Sequence, residues 1–551
     1  MRIPVPRSLG RSVLALVTGA VLVTGAVVTA GPAAAVPGNG NGGGAGNAAP
    51  TLVQTDEGKL RGTRLDGYRT FEGIRYAEAP VGERRFRPPV PVQPFRGVAD
   101  ATTPHEPCAQ LANGTTNAFQ TFNEDCLFLN VTTPAGLDAA RSDLPVMVWI
   151  HGGSWVYGNG ANYDASTLAV EGDAVVVTIN YRLGPLGFMA QRDLSAGNGA
   201  VGSGSAGLLD QQEALRWVQR NIDAFGGDPD NVTVLGESAG ASSVCAQLAS
   251  PTAAGLFDKA IAQSYSCTAT YDTLAAEEAT GQTVATTVGC ATAADVAACL
   301  RAAPAEALLR AWPGGSFVVG GSSLPEQPGT AIAAGRWNRV PVVHGNLQDE
   351  NTLFTPLSLT ETQRQALLSA DPAVYTATLQ QRFPGRAEAV AQRYPLAEYG
   401  STLRVLAAVA SDVGSALSTC THVAAHDLLR GQQPSGVFAY SFRDQDAPAL
   451  LDFPYDPARY DEGAQHAGEL PYLFPGLFGG PLTAEQQALS TTMVRYWTNF
   501  AATGDPNGRG VPAWNAYRTP ADVQGLDVAS QGGVGPVDVA ADANCAFWAT
   551  R

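Results

Sequence analysis

Val232-Thr233-Val234-Leu235-Gly236-Glu237-Ser238-Ala239-Gly240 is the stretch on which the fold reading turns. Val232 to Leu235 is a short apolar, β-branched run, as a buried strand requires. Ala239 to Leu248 is compatible with helix. Between them, Ser238 is flanked at two-residue distance by glycines, the only Gly-x-Ser-x-Gly in the chain. A serine so placed sits on a sharp strand-to-helix turn. The glycines relieve crowding against neighbouring backbone, and the hydroxyl projects above the sheet. The Ala239 N–H, at the helix start, points into the same space and can bind an oxyanion.

The same alternation extends outward. Val146–Ile150, Val175–Ile179, Ala260–Ala262, Val340–Val343 and Val437–Phe442 read as further strands. Leu208, Leu215, Val218 and Ile222 recur at helical spacing, which predicts an amphipathic helix over 208–225. Strands alternating with helices imply an α/β class: a large, mostly parallel central sheet covered by helices on both faces. Ligands bind such sheets at the carboxyl ends of the strands. The alanine-rich runs 270–335 and 355–430 read as helical excursions over that end. His151-Gly152-Gly153-Ser154-Trp155 directly follows the 146–150 strand. A glycine-rich turn there lets backbone N–H groups converge on one point.

A serine nucleophile needs a base, and the base an orienting acid. In serine sites of this strand–turn–helix kind, acid and then histidine follow the serine along the chain. The chain has six histidines. His105 and His151 precede Ser238, and His344 has an acid just after it, not before. His422 and His426 stand at i, i+4, a spacing that suits a metal. With no acidic or cysteine partner nearby they read as an ordinary helix face. His466, in the polar loop Asp461-Glu462-Gly463-Ala464-Gln465-His466-Ala467-Gly468-Glu469, is the candidate base. Asp349 and Glu350 follow the 340–343 strand, and either carboxylate can orient the imidazole. The one not used is expected to be solvated at the surface.

Bulk properties narrow the partners. The 551 residues carry a formal net charge of −16, and 45% are hydrophobic. Such a chain is globular and repels nucleic acid. Arg2, Arg7 and Arg11, the uncharged run from Ser12 to Ala30 and Ala33-Ala34-Ala35 read as a signal peptide over 1–35. A Gly/Asn-rich linker follows over 36–50. Residues 51–551 read as one domain. Export, with no membrane anchor left after cleavage, follows from that reading. The eight cysteines are even in number and contain no Cys-x-x-Cys, which favours disulfides over metal or redox sites.

These residues together resemble the type-B carboxylesterase and cholinesterase-like family of α/β-hydrolases, from about Val53 to Trp514. Phe71-Glu72-Gly73-Ile74-Arg75-Tyr76-Ala77 with Arg85-Phe86 and Pro88-Pro89 is similar to its N-terminal signature. Glu124-Asp125-Cys126-Leu127-Phe128-Leu129-Asn130-Val131 resembles its second and more specific one. Asn180-Tyr181-Arg182-Leu183 and Phe225-Gly226-Gly227-Asp228-Pro229 match as well. The resemblance implies an α/β-hydrolase fold that needs neither cofactor nor metal. It implies Ser238 as nucleophile, Glu350 as acid and His466 as base, with oxyanion donors at the N–H groups of Gly153, Ser154 and Ala239. Cys108–Cys126, Cys290–Cys299 and Cys420–Cys545 match family pairs, and Cys245–Cys267 is left by subtraction.

The family usually has glycine where this chain has Ser154, Ala241 and Ala467. The stretch Ala109–Asp125 lacks the tryptophan of a choline-binding cage. The expected activity is hydrolysis of small-molecule or lipid-like esters through an acyl-enzyme. A lipase or amidase using the same residues, or a binding protein without catalysis, are the rival readings.

Overall fold

The computed structural model describes residues 50–136, 143–433 and 436–550. The proposed signal peptide, and the linker up to residue 49, lie outside the described residues.

Thirteen strands join in one sheet among the described residues. They are β1 (Pro50–Gln54), β2 (Lys59–Arg64), β3 (Tyr68–Arg75), β4 (Val98–Asp100), β5 (Phe128–Pro134), β6 (Leu144–Ile150) and β7 (Val175–Ile179). β8 (Gly227–Glu237), β9 (Lys259–Gln263), β10 (Val342–Leu347), β11 (Val437–Phe442), β12 (Val523–Leu526) and β13 (Gly535–Val537) follow. In space the order is β1-β2-β3-β5-β7-β6-β8-β9-β10-β11-β12-β13, with β4 beside β2. From β7 to β12 every neighbouring pair is parallel. β1, β2, β3 and β5 form an antiparallel ribbon at one edge, and β13 closes the other antiparallel.

The parallel strands are near-continuous apolar runs because both faces are covered. On β6, Val146, Val148 and Ile150 belong to one hydrophobic core, and Met147 and Trp149 to the other. That is the two-residue side-chain period of a strand. The first core holds helix α1 (Ala206–Asn221), through Leu208, Leu215 and Val218, and helix α2 (Ala239–Ala249), through Val244 and Leu248. The opposite face packs against the long carboxyl-terminal helix (Ala484–Thr503) through Leu489, Met493 and Trp497.

Two expected boundaries shift. The helix foreseen over 208–225 runs from 206 to 221 and tightens into a 3₁₀ turn at Ile222–Phe225. The strand foreseen at Val340–Val343 is β10, Val342–Leu347. Pro341 has no N–H for the ladder. Gly345 continues the strand because the Tyr440 ring covers it; a Cβ there would stand 2.3 Å from that ring. His344 thus lies within the strand instead of after it. The alanine-rich runs are helical as expected: the first from Leu274, the second including α3 (Asn351–Leu357), α4 (Thr402–Asp412) and α5 (Thr419–Gln432). Both leave the sheet at strand carboxyl ends, after β9 and β10.

All four foreseen disulfides form: Cys108–Cys126, Cys245–Cys267, Cys290–Cys299 and Cys420–Cys545. Inside the fold, Asp210 of α1 accepts two bonds from the Arg182 side chain, at 2.7 and 2.6 Å, and a third from the Arg182 N–H at 3.1 Å. This buried pair fixes the turn after β7 to the start of α1.

The start of α2 lies against the end of β6 more closely than any side chain would allow. A Cβ at Gly240 would stand 2.0 Å from the Ile150 carbonyl oxygen, and one at Gly236 2.6 Å from it. Gly240→Ala is therefore expected to lower unfolding stability by about 1–3 kcal/mol through overpacking. A reduced midpoint in urea unfolding is the check, and an unchanged midpoint would contradict the packing argument.

Candidate active site

Ser238 joins β8 to α2 with φ 57° and ψ −121°, a conformation strained for any residue with a Cβ. The turn is held on both sides. The Ser238 N–H donates to the Gln263 carbonyl at 2.9 Å, and the Ser238 carbonyl accepts from the Ser242 N–H at 2.9 Å. The Ser238 side chain is half-buried and its Oγ makes no hydrogen bond among the described residues.

The glycine turn after β6 stands next to it. A Cβ at Gly152 would come 2.9 Å from the Glu237 carbonyl oxygen and 3.1 Å from the Ser238 Cβ. Gly153 adopts φ 101°, and its carbonyl accepts from the N–H groups of Val156 and Tyr157 at 3.0 and 3.1 Å. The Tyr181 hydroxyl donates to the His151 carbonyl at 2.7 Å. These bonds fix the turn yet leave the N–H groups of Gly153 and Ser154 without an acceptor among the described residues. The Ala239 N–H is also free, as the first donor of a helix must be.

His466 is buried and lies between acids. Its Nδ1 is 2.5 Å from Glu350 Oε2. The other Glu350 oxygen accepts the Leu347 N–H at 2.9 Å, which aims the carboxylate from the end of β10. His466 Nε2 is 3.1 Å from the carboxylate of Glu237, the residue before Ser238. That contact is out of line for a hydrogen bond, and Glu237 Oε1 has no hydrogen-bond partner. The imidazole thus faces the serine turn without yet bonding to Ser238 Oγ. Such bonds commonly tighten only with substrate in place. The sequence-predicted residues are therefore gathered at the carboxyl ends of β6, β8 and β10, as parallel sheets dictate.

A third buried acid completes the cluster. Glu469 Oε1 accepts from Gln263 Nε2 at 3.2 Å, and Gln263 Oε1 accepts from the Trp497 indole at 3.0 Å. Burial holds the carboxyl groups of both Glu237 and Glu469 above the ordinary range, and Glu350 adds to it in each case. On His466, burial favours the neutral ring, but the charges of Glu237 and Glu350 outweigh it and raise the imidazole. Glu237 and Glu469 are what the sequence reading missed. Glu237 stands within the serine motif and Glu469 three residues after the histidine, but neither position by itself signals that it faces the imidazole.

The two adjacent acids after β10 divide cleanly. Glu350 faces His466. Asp349 is not solvated as expected: it is buried and pairs with Arg404 at 2.6 Å. His422 and His426 lie on one face of a helix, as expected. Both are buried on α5 against His344, with ring centroids 4.9 Å from it in each case. Burial lowers the pKa of all three. Cys245 and Cys267 lie beside His344 but are bonded to each other, so neither sulfur is a thiolate ligand.

Ser154 and Ala467 are informative departures. Both take left-handed backbone, φ 54° and 69°. These are conformations glycine adopts freely and other residues only at a cost.

A strained serine between a parallel strand and a helix, with a buried Glu–His pair beside it, defines an α/β-hydrolase. Residues 49–548 match the carboxylesterase family. The chain is 37% identical over 495 residues to the para-nitrobenzyl esterase of Bacillus subtilis, covering 85% of this chain and 92% of the relative. It is 34% identical over 480 residues to a human cocaine esterase, covering 82% of each. A solved carboxylesterase of Geobacillus stearothermophilus superposes with a TM-score of 0.73 at 32% identity, over 90% of this chain and 100% of that one. The chain belongs to the carboxylesterase family, of the type-B, cholinesterase-like kind, and is a carboxylic-ester hydrolase.

Two measurements follow from the geometry. Glu237→Gln removes a negative charge facing His466 Nε2, and losing a charge that raises the imidazole must lower its pKa. An NMR titration of the His466 ring is expected to move to lower pH, and a shift upward would contradict the placement. Ala467→Gly relieves a left-handed alanine and is expected to gain roughly 0.5–1 kcal/mol, net of glycine's extra freedom in the unfolded chain. Loss of stability in thermal unfolding would oppose that reading.

Proposed function

We propose that this carboxylesterase works by two-step acyl transfer with Ser238 as nucleophile, His466 as general base and Glu350 as its orienting acid. The observation that carries the reading is the buried Glu350–His466 pair, whose far nitrogen faces the turn that holds Ser238. His466 Nε2 takes the Ser238 proton as Oγ attacks the ester carbonyl. The carbonyl oxygen becomes an oxyanion and accepts from the free N–H groups of Gly153, Ser154 and Ala239. Each such donor is worth about 2.7–4 kcal/mol in the transition state. Glu350 stabilises the imidazolium and holds its tautomer.

Collapse of the tetrahedral intermediate breaks the carbonyl carbon–alkoxy oxygen bond, and His466 returns the proton to the leaving alcohol. Water then attacks the acyl-serine with His466 again as base. The carboxylic acid departs and Ser238 regains its proton. Every charge that develops in these steps has a fixed partner among these residues.

The substrate class we assign is small-molecule or lipid-like carboxylic esters. The names of the relatives support breadth: besides the para-nitrobenzyl and cocaine esterases, an acylcarnitine hydrolase of Mus musculus is 34% identical over 498 residues. We further propose that the chain is exported after removal of residues 1–35. The four disulfides are consistent with an oxidising destination.

Ser238→Ala is expected to lower p-nitrophenyl ester hydrolysis by about 10⁴-fold or more. It should also abolish labelling by a fluorophosphonate probe while leaving the circular dichroism spectrum unchanged. Retained turnover in the folded variant would reject Ser238 as nucleophile.

A further inference from the structure

Asp349 stands beside Glu350 but turns the other way, into the base of the histidine loop. Its Oδ2 accepts from the Ala464 N–H at 3.3 Å and from Gln445 Nε2 at 3.1 Å. Its own N–H donates to the Ala464 carbonyl at 3.1 Å. The Thr352 hydroxyl reaches both the Asp349 carbonyl, at 2.6 Å, and the Glu462 carbonyl, at 2.7 Å. The Tyr460 hydroxyl donates to the Thr352 carbonyl at 2.7 Å. The segment 460–464 is thus sewn to the segment 349–352, and the two emerge as His466 and Glu350.

Asp349 Oδ1, the oxygen not bonded to the loop, accepts from Arg404 Nη2 of α4 at 2.6 Å. Arg404 is itself buried. Its Nη1 has no partner and the side chain lines a cavity of about 140 Å³, together with Asp412 and Arg443. No role in acyl transfer falls to either residue, since neither faces the serine.

We propose that Asp349 and Arg404 are positioning residues for the catalytic histidine: Asp349 ties the histidine loop to the Glu350 turn, and Arg404 fixes the direction of the Asp349 carboxylate. The inference rests on the Ser238–His466–Glu350 reading. The Asp349 carboxylate is held here at both oxygens, by a cation on one side and by the loop on the other. Without the cation, the carboxylate is held through one oxygen only, by the Ala464 N–H and Gln445 Nε2, and the restraint on the distance between Nδ1 of His466 and Oε2 of Glu350 weakens. The cavity beside Arg404 gives the carboxylate room to turn.

The acids whose charges act on the imidazole are Glu237, Glu350 and Glu469, and none is altered when Arg404 is removed. A shift of the histidine's titration in an Arg404 variant therefore reports movement of the loop. Since Glu350 raises the imidazole, its withdrawal lowers it. For Arg404→Ala, kcat for p-nitrophenyl acetate is expected to fall about 10- to 100-fold, the cost of a misplacement on the ångström scale. KM should be unchanged, and the acid limb of kcat/KM should move to lower pH. Guanidinium chloride, but not equal sodium chloride, should restore part of the rate by filling the enlarged cavity.

Wild-type kcat and pH profile in the variant would overturn the proposal. So would a loss of kcat with neither a displaced limb nor rescue, which marks general destabilisation. Should Arg404→Ala not fold, Gly463→Ala tests the tie from the loop side. Its Cβ would stand 2.6 Å from Asp349 Oδ2 and must push loop and carboxylate apart. The same fall in kcat and shift of the limb support the proposal, and an unchanged profile rejects it. Fluorophosphonate labelling of the wild-type enzyme is scored alongside. No label at Ser238 rejects the triad and the positioning role with it. A label at Ser238 with an unaltered Arg404 variant rejects the positioning role alone.

Discussion

The structure depends on one close approach: the first turn of α2 pressed against the last carbonyls of β6. Backbone can lie on backbone there only because Gly236, Gly240 and Gly152 carry no side chain. The approach holds Ser238 in its strained turn, leaves the Ala239 N–H free at the helix start and sets the glycine turn after β6 against Ser238. The two large apolar cores on either side of the sheet, and the Arg182–Asp210 pair beneath α1, keep these elements from relaxing apart. Strain at a site persists only where its surroundings over-determine it.

Around that turn the protein has collected more negative charge than a buried pocket readily holds. Glu237 and Glu350 face one imidazole, and Glu469 is buried near enough for its charge to act on it. Burial of three carboxyl groups is costly unless a proton or a cation is shared among them. The histidine serves as that partner, and the two acids not bonded to Nδ1 are pushed toward their protonated forms. Their protons and that of the imidazole therefore move as a coupled set. An imidazole embedded in such a set can gain a proton with little change in its surroundings, which suits the role proposed for His466.

Much of this was legible in the chain. The run from Val232 to Gly240 carried strand, turn and helix because its apolar, glycine and small residues each demand one geometry. The parallel strands announced themselves as short apolar blocks, three of the cysteine pairs follow the family resemblance, and the fourth is what remains. What failed to show was of two kinds. The end of β10 was misjudged because Gly345 weakens a strand pattern unless a ring such as that of Tyr440 covers it, and that ring is distant in sequence. The solvation expected for Asp349 fails, and the burial of His422 and His426 does not show, for a related reason. A charged or polar residue reads as solvated until its partner is known, and Arg404 and His344 come from other elements. Ser154 and Ala467 were visible as departures, but only the backbone shows that both kept the left-handed turn.

The cross-link between Cys245 and Cys267 joins the back of α2 to the segment that follows β9. The front of the same helix presents the Ala239 amide. Closure of this bond thus braces the Ser238 turn from behind. On the proposed reading, a newly made chain with both sulfurs still reduced carries Ser238 at the head of a helix that lacks this anchor, and closing the bond becomes a step toward the working site.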